Sequence, residues 1–184
     1  MKKFLYVTSM GVFFAILQTS YFFELEIWLT AAYPGFLTIM LGWLLGNVLG
    51  LAAGKRWDNK GRSPLILLSV FILASLTAYY ISISLLKAYP YQMAYLPFYA
   101  VMIMVSGAQA GHFFNASRSI FISVSTLFFL ENNGFVIGWI IGFFGFVMYG
   151  SRFNVVAPGA LGIVCIFLLW LAVRPGDGAI KASQ

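Results

Sequence analysis

The sequence predicts an all-α membrane protein, with six transmembrane helices packed as a single domain over residues 1–184. Three observations lead to this prediction. Hydrophobic residues make up 61% of the chain and charged residues only 9%, whereas soluble domains carry about 25% charged residues. Apolar segments close to the roughly 20 residues that cross a bilayer recur along the chain. Basic residues concentrate in alternate loops between these segments, as in multi-pass membrane proteins.

Charges, prolines and turn residues mark where each span begins and ends. Glu24 and Glu26 are predicted to end the first helix, whose length and lack of a cleavage site favour a retained span over a secretory signal. Ser63-Pro64 is typical of a helix start, with serine at the N-cap and proline in the first turn. A short interfacial helix is predicted near Ser119–Ser125. The six predicted spans are residues 4–23, 36–53, 64–86, 91–111, 126–149 and 158–173.

The distribution of the basic residues predicts the orientation in the membrane. If the N-terminus lies inside, nine Lys and Arg residues fall on the inner side and two, Lys87 and Arg152, fall on the outer side. This bias is the positive-inside pattern, so both termini are predicted to be cytoplasmic. The formal net charge of +6 is then a consequence of topology, and no nucleic-acid partner is expected.

Two ladders of glycines, spaced four residues apart, stand within the second and fifth spans. A spacing of four places each ladder on one helical face, where another membrane helix can approach closely. Each ladder lies in the middle helix of a three-helix unit, so we expect two inverted units that together resemble half of a transporter. The predicted helix-packing residues are Gly42, Gly46, Gly50, Gly54, Gly134, Gly138 and Gly142.

The sequence offers little material for catalysis or for a cofactor. It contains one cysteine, Cys165, and one histidine, His112. These counts exclude a disulfide framework, a cysteine metal site and a haem with two axial histidines from this chain. The serines between Ser117 and Ser125 lack a histidine–acid partner set, which argues against a serine hydrolase. We therefore predict no enzymatic activity, no cofactor and no bound metal.

A few polar residues within the spans are candidates for an ion or solute site, because ionisable groups in a bilayer are costly and often functional. Glu131 is predicted in the inner third of span five, where it either serves such a site or lies at the membrane interface. Tyr91, Tyr95 and Tyr99 form either an aromatic belt or, with the nearby acidic residues, a cage for an organic cation. The candidate site residues are Glu131, Asn132, His112, Gln109, Glu24 and Tyr95.

Three glycine-containing stretches resemble known membrane proteins. Gly46–Pro64 loosely resembles the loop between helices two and three of the major facilitator superfamily. Ser106–Gly111 (SGAQAG) and Phe128–Gly138 (FFLENNGFVIG) resemble the membrane domain fused to bacterial spermidine-synthase-like proteins, with Glu131 in the acidic position. The sequence contains no counterpart of the aminopropyltransferase domain of that family. The resemblance therefore implies a freestanding module of the bacterial inner membrane, without transferase chemistry.

Two functions fit these observations. The first is a non-enzymatic integral membrane subunit that anchors or scaffolds a larger complex, in contact with membrane lipid and with other subunits or a second copy of itself. The alternative is a six-helix half-transporter that acts as a homodimer on a small solute such as an organic cation. The scarcity of polar residues in the spans favours the scaffold, since a transporter needs a polar cavity.

Overall fold

The computed structural model describes residues 2–58, 64–118 and 123–173. Within these residues the chain is all-helical, and six of its helices are long and apolar enough to cross a membrane. This confirms the prediction of a multi-pass, all-α membrane protein with six spans. The helices are α1 (Lys2–Leu29), α2 (Ala32–Asp58), α3 (Pro64–Ala88), a short 3₁₀ helix (Met93–Tyr95), α4 (Leu96–Arg118), α5 (Val124–Tyr149) and α6 (Ser151–Val173).

Several helix boundaries differ from the prediction. The first helix does not end before Glu24, because α1 continues through Glu24 and Glu26 to Leu29. The reason is that Glu24 is buried with hydrogen-bond partners, so its carboxyl does not need to leave the bundle. At 28 residues and about 1.5 Å per residue, α1 is about 42 Å long. It therefore exceeds the roughly 30 Å hydrocarbon core of a bilayer.

The fourth and sixth helices also have different limits. Helix α4 begins at Leu96 rather than Tyr91, because Tyr91 lies in a turn with a positive φ of 64°. Helix α6 begins seven residues before Pro158, which lies inside it. The interfacial helix predicted near Ser119–Ser125 lies partly outside the described residues. Within them, Ser123 has an extended backbone and α5 already begins at Val124.

The helices form two interlocked units of three. Helix α1 of the first unit packs mainly on α5 and α6, while α4 of the second unit packs mainly on α2 and α3. Equivalent helices of the two units therefore make equivalent contacts, as internal structural repeats do. It makes α1 and α4 the centre of the bundle, with aromatic contacts between them such as the 5.6 Å separation of the Phe14 and Phe113 ring centroids.

Successive helices alternate in direction, so the bundle has two distinct ends. One end holds the starts of α1, α3 and α5 and the ends of α2, α4 and α6, and we call it the basic end. Among the described residues, those that are basic at this end are Lys2 and Lys3 at the start of α1, Lys55 and Arg56 in the last turn of α2, and Arg118 at the end of α4. The opposite end carries both acidic and basic residues: Glu24, Glu26, Lys87 and Arg152. The start of α1 and the end of α6 thus lie on the same side.

Candidate functional site

The glycine ladder of α2 packs directly on the backbone of α4, which runs parallel to it. A Cβ atom at Gly46 would overlap the carbonyl oxygen of Met104. The approach is close from both sides, since a Cβ atom at Gly111 of α4 would overlap the carbonyl oxygen of Asn47. The ladder therefore serves packing inside the chain. All four of its glycines face α4: Gly42, Gly46, Gly50 and Gly54.

The ladder of α5 packs in the same way on α1. A Cβ atom at Gly134 would overlap the carbonyl oxygen of Thr8. The reciprocal glycine on α1 is Gly11, where a Cβ atom would overlap the carbonyl oxygen of Glu131. Sequence reasoning missed Gly11, because a single glycine in a long apolar helix makes no ladder. The ladder glycines that face α1 are Gly134, Gly138 and Gly142.

Glu24 lies inside the bundle at the opposite end, where it joins α1 to the start of α6. Its carboxyl is fully buried. It accepts hydrogen bonds from Ser151 Oγ at 2.6 Å, from Asn154 Nδ2 at 3.0 Å and from Trp28 Nε1 at 3.0 Å. A buried carboxylate with several donors is stabilised by charge-assisted hydrogen bonds. Glu24 is thus part of a structural contact between two helices.

The cation cage considered from the sequence does not form around Glu24. Tyr95 lies in the 3₁₀ helix with its ring centroid 5.5 Å from that of Tyr89, whereas the Glu24 carboxyl faces α6. Tyr91 is exposed and Tyr99 is fully buried, so the tyrosines do not share one accessible face. The physical reason is that α4 begins only at Leu96, which breaks the helical spacing assumed for Tyr91 and Tyr95.

Sequence reasoning also missed the partners of Glu24 on α6. The predicted spans 126–149 and 158–173 leave Ser151 and Asn154 in the connection between them, but both lie in the first turn of α6. Asn154 is fully buried and its carbonyl oxygen accepts a hydrogen bond of 2.8 Å from the Tyr79 hydroxyl of α3. The available signal was the i, i+3 spacing of two polar residues at a helix start, which places them on one face.

Gln109 belongs to a polar region in the middle of the bundle, where α1, α3 and α4 meet. The Tyr21 hydroxyl and Ser106 Oγ lie 3.2 Å apart, and Ser106 Oγ lies 3.5 Å from the carbonyl oxygen of Ser75. Gln109 follows one turn later on α4 and is fully buried. Neither its amide oxygen nor its amide nitrogen has a hydrogen-bond partner among the described residues. The centre of the bundle is therefore more polar than the sequence indicated.

His112 lies one further turn towards the basic end, on the same buried face as Gln109. Its ring is fully buried and stacks on Phe71 of α3, with ring centroids 4.5 Å apart. Within the described part of the chain, no three His, Cys, Asp or Glu side chains lie close enough together to hold a metal ion. His112 is thus held by aromatic packing between α3 and α4.

Glu131 and Asn132 lie side by side in α5 but face different surroundings. Glu131 is only 7% exposed and packs towards α1, where its backbone contacts Gly11. Its carboxyl makes no hydrogen bond or ion pair with the described residues. Asn132 is exposed on the outer face of α5. The buried, unpaired state of Glu131 makes it the more unusual of the two groups.

The structure divides the predicted site residues between two places. Gln109, His112 and Glu131 lie in the half of the bundle nearer the basic end, whereas Glu24 and Tyr95 lie at the opposite end. Glu24 and Gly11, which marks the level of Glu131, are thirteen residues apart on α1. This corresponds to about 20 Å along the helix axis. The two carboxyls therefore do not share one ion or solute site.

Comparisons with known proteins give no family assignment. No family model, no curated protein and no solved structure matches this chain. Its function must therefore be inferred from its own residues and geometry.

Proposed function

We propose that this chain is a non-enzymatic integral membrane subunit that anchors or scaffolds a larger membrane complex. Its neighbours would be membrane lipid and other membrane subunits, whereas pairing of two copies of the chain belongs to the half-transporter considered below. The proposed location is the bacterial inner membrane with the basic end in the cytoplasm, in keeping with the positive-inside bias. No catalytic chemistry is part of the proposal.

The observation that carries the proposal is the close packing of the helices on one another, together with the hydrogen bonds that join α1 to α6. The ladder glycines of each three-helix unit lie against the first helix of the other unit, at distances that leave no room for a Cβ atom at Gly46 or Gly134. At the opposite end, two hydrogen bonds from Ser151 and Asn154 to the Glu24 carboxyl join α1 to α6. Close packing of one helix backbone on another leaves little room for the two helices to slide past each other. A rigid bundle suits an anchor better than a protein whose helices must slide.

The outer surfaces of the two ladder helices support the same proposal. On α5, the residues that point away from the bundle are large and apolar, with Phe144 59% and Met148 70% exposed. On α2, Leu44 is 60% and Val48 63% exposed. Because the glycine faces are used inside the chain, these outer faces are what the bundle presents to lipid or to neighbouring subunits.

Purification in a mild detergent, followed by native mass spectrometry, tests the proposal. We expect other membrane subunits to co-purify in a fixed ratio. We also expect the double substitution Phe144→Ala and Met148→Ala to release them, because it truncates an exposed apolar face without touching the core. Val70→Ala with Leu73→Ala, on the exposed face of α3, is the matched control and should retain them. Recovery of the wild-type chain only as monomer or homodimer would contradict the scaffold.

A half-transporter acting as a homodimer is the second candidate, and one observation favours it. Gln109 is fully buried at the centre of the bundle with both amide atoms unpartnered among the described residues. Buried polar groups are normally hydrogen-bonded, so a polar solute or water bound beside Gln109 would supply the partners that its amide lacks. The resemblance to the membrane domain of spermidine-synthase-like proteins is consistent with either candidate.

A further inference from the structure

An apolar cleft opens at the basic end between α2, α4 and α5. Its volume is about 890 Å³, within the range of about 300–1,000 Å³ typical of small-molecule sites. Phe114 and Phe128 stack across it with ring centroids 4.6 Å apart. The remaining lining is aliphatic except for two polar residues near its mouth, Asn115 and Arg118. The cleft thus combines an apolar interior with one positive charge.

Arg118 is placed to receive an anion at this mouth. It is the last residue of α4, its side chain is exposed, and it makes no ion pair with the described residues. Other basic residues lie at the same end of the bundle, in the first turn of α1 and the last turn of α2. Among the described residues of this end, the acidic ones are Asp58, the last residue of α2, and Glu131, which is nearly buried. The charged side chain in the lining of the cleft is that of Arg118, so its mouth carries a positive charge.

A second cleft provides an internal contrast. It lies between α3 and α4 at the opposite end, has a volume of about 860 Å³, and is also mainly apolar. Its polar lining consists of hydroxyls, including those of Thr77, Ser84 and Tyr95, and contains no charged side chain. Size and apolarity are therefore similar in the two clefts, and the charge at the mouth distinguishes them.

We propose that the cleft between α2, α4 and α5 binds an anionic phospholipid. The phosphate-bearing headgroup would pair with the Arg118 guanidinium, whose planar donors suit a phosphate. The upper part of the acyl chains would lie in the cleft and continue along the exposed apolar residues of α2, such as Leu41 and Leu45. Basic pockets between transmembrane helices are known to bind lipid headgroups in this way. The site is independent of whether the chain acts as a scaffold or as a transporter.

The proposal is tested by measuring lipid affinity of the purified chain by native mass spectrometry, with the thermal midpoint in detergent as a second readout. We expect phosphatidylglycerol to bind and to raise the thermal midpoint more than phosphatidylcholine of the same chain length. Arg118→Gln should weaken phosphatidylglycerol binding about tenfold, the loss expected for one charge-assisted contact. Arg152→Gln, at the opposite end, is the matched control and should bind as the wild type does.

A second pair of variants tests the apolar part of the site. Ala52→Trp should fill the cleft and weaken binding of phosphatidylglycerol, whereas Thr77→Trp, in the contrasting cleft, should not. Inorganic phosphate and glycerol phosphate should give no thermal shift. Equal binding of both lipids, or unchanged affinity in both Arg118→Gln and Ala52→Trp, would overturn the proposal. A shift with inorganic phosphate equal to that with the lipid would also overturn it, since the site would then be a simple anion site.

Discussion

The α2–α4 and α1–α5 interfaces are built from the same glycine spacing but differ in what opposes the glycines. On the α2–α4 side, glycines stand on both helices, and Gly107 and Gly111 of α4 meet the backbone of α2. On the α1–α5 side, the partner of the α5 ladder carries one glycine, Gly11, together with threonine and alanine side chains. One interface is therefore backbone against backbone, and the other changes from backbone contact to side-chain contact along its length.

A glycine ladder thus sets how closely two helices can approach, whereas the helix that faces the ladder sets how much stability a substitution of a ladder glycine costs. At Gly46, the atoms that a side chain would meet are all backbone atoms of α4, which cannot move independently. At Gly142, the nearest atoms belong to the side chains of Thr19 and Ile16. Side chains can change rotamer, whereas a helix backbone must shift as a whole. We therefore expect substitutions of the ladder glycines to destabilise the protein by different amounts along these two contacts.

The largest effect is expected for Gly46→Leu. A leucine there must separate α2 from α4, so destabilisation should reach or exceed the upper end of the roughly 1–3 kcal/mol typical of overpacking. The yield of monodisperse protein and the thermal midpoint in detergent measure it. Gly35→Ala is the matched control, because Gly35 is also a buried glycine of α2 but a Cβ atom there would meet only ordinary contact at 3.8 Å. A stable Gly46→Leu variant would refute the close approach.

An intermediate effect is expected for Gly134→Ala, and a smaller one for Gly142→Ala. The added methyl group at Gly134 meets the carbonyl oxygen and Cα of Thr8, whereas at Gly142 it meets the hydroxyl of Thr19. We expect about 1–3 kcal/mol of destabilisation for the first and clearly less for the second. Reversible unfolding of both variants in mixed micelles measures the difference. Equal losses of stability in the two variants would contradict this prediction, because the α1–α5 contact would then tolerate a methyl group no better at Gly142 than at Gly134.

The smallest effect on stability is expected for Glu131→Gln in the α1–α5 interface. Its carboxyl makes no hydrogen bond with the described residues, so the amide loses no partner there. Glu24→Gln provides the contrast: an amide nitrogen in place of one carboxyl oxygen would leave a buried donor unpaired, at a cost of about 1–3 kcal/mol. Thermal midpoints of both variants test the stability difference. Under the scaffold proposal, Glu131→Gln also retains its partner subunits.

The same Glu131→Gln variant distinguishes the two candidate functions. A cation- or proton-coupled half-transporter should lose uptake in proteoliposomes while its expression and dimerisation stay normal, because the amide retains the shape of the side chain and loses its charge. Such a loss of uptake would overturn the scaffold proposal in favour of the half-transporter. Retention of partner subunits with no uptake in either protein would favour the scaffold.

Much of the fold could be predicted from the sequence, because membrane insertion imposes strong and local rules. Segment length and apolarity require a helix wherever no water is available to the backbone. This is why all six spans were found. Boundaries were less predictable, since a charge such as Glu24 ends a helix only if it must reach water, and here α6 supplies its partners.

The candidate site was less predictable than the fold. Sequence spacing showed which glycines share a face of α2 or α5, but not that α4 and α1 respectively would occupy those faces. The single glycine Gly11 and the pair Ser151 and Asn154 gave weak signals, because their importance depends on helices far away in the chain. Residues predicted together, such as Glu24 and Glu131, turned out to lie at different levels of the bundle.

By itself, the sequence determined that this chain is a six-helix membrane protein with two inverted units, because apolar length and glycine spacing act locally along each helix. Only the tertiary structure decided that Glu24 is a satisfied structural contact, that Glu131 is buried without a partner among the described residues, and that Arg118 stands at the mouth of an apolar cleft. The physical reason is that hydrogen-bond partners, burial and clefts are properties of pairs of helices. Which helices become neighbours is set by packing of the whole bundle.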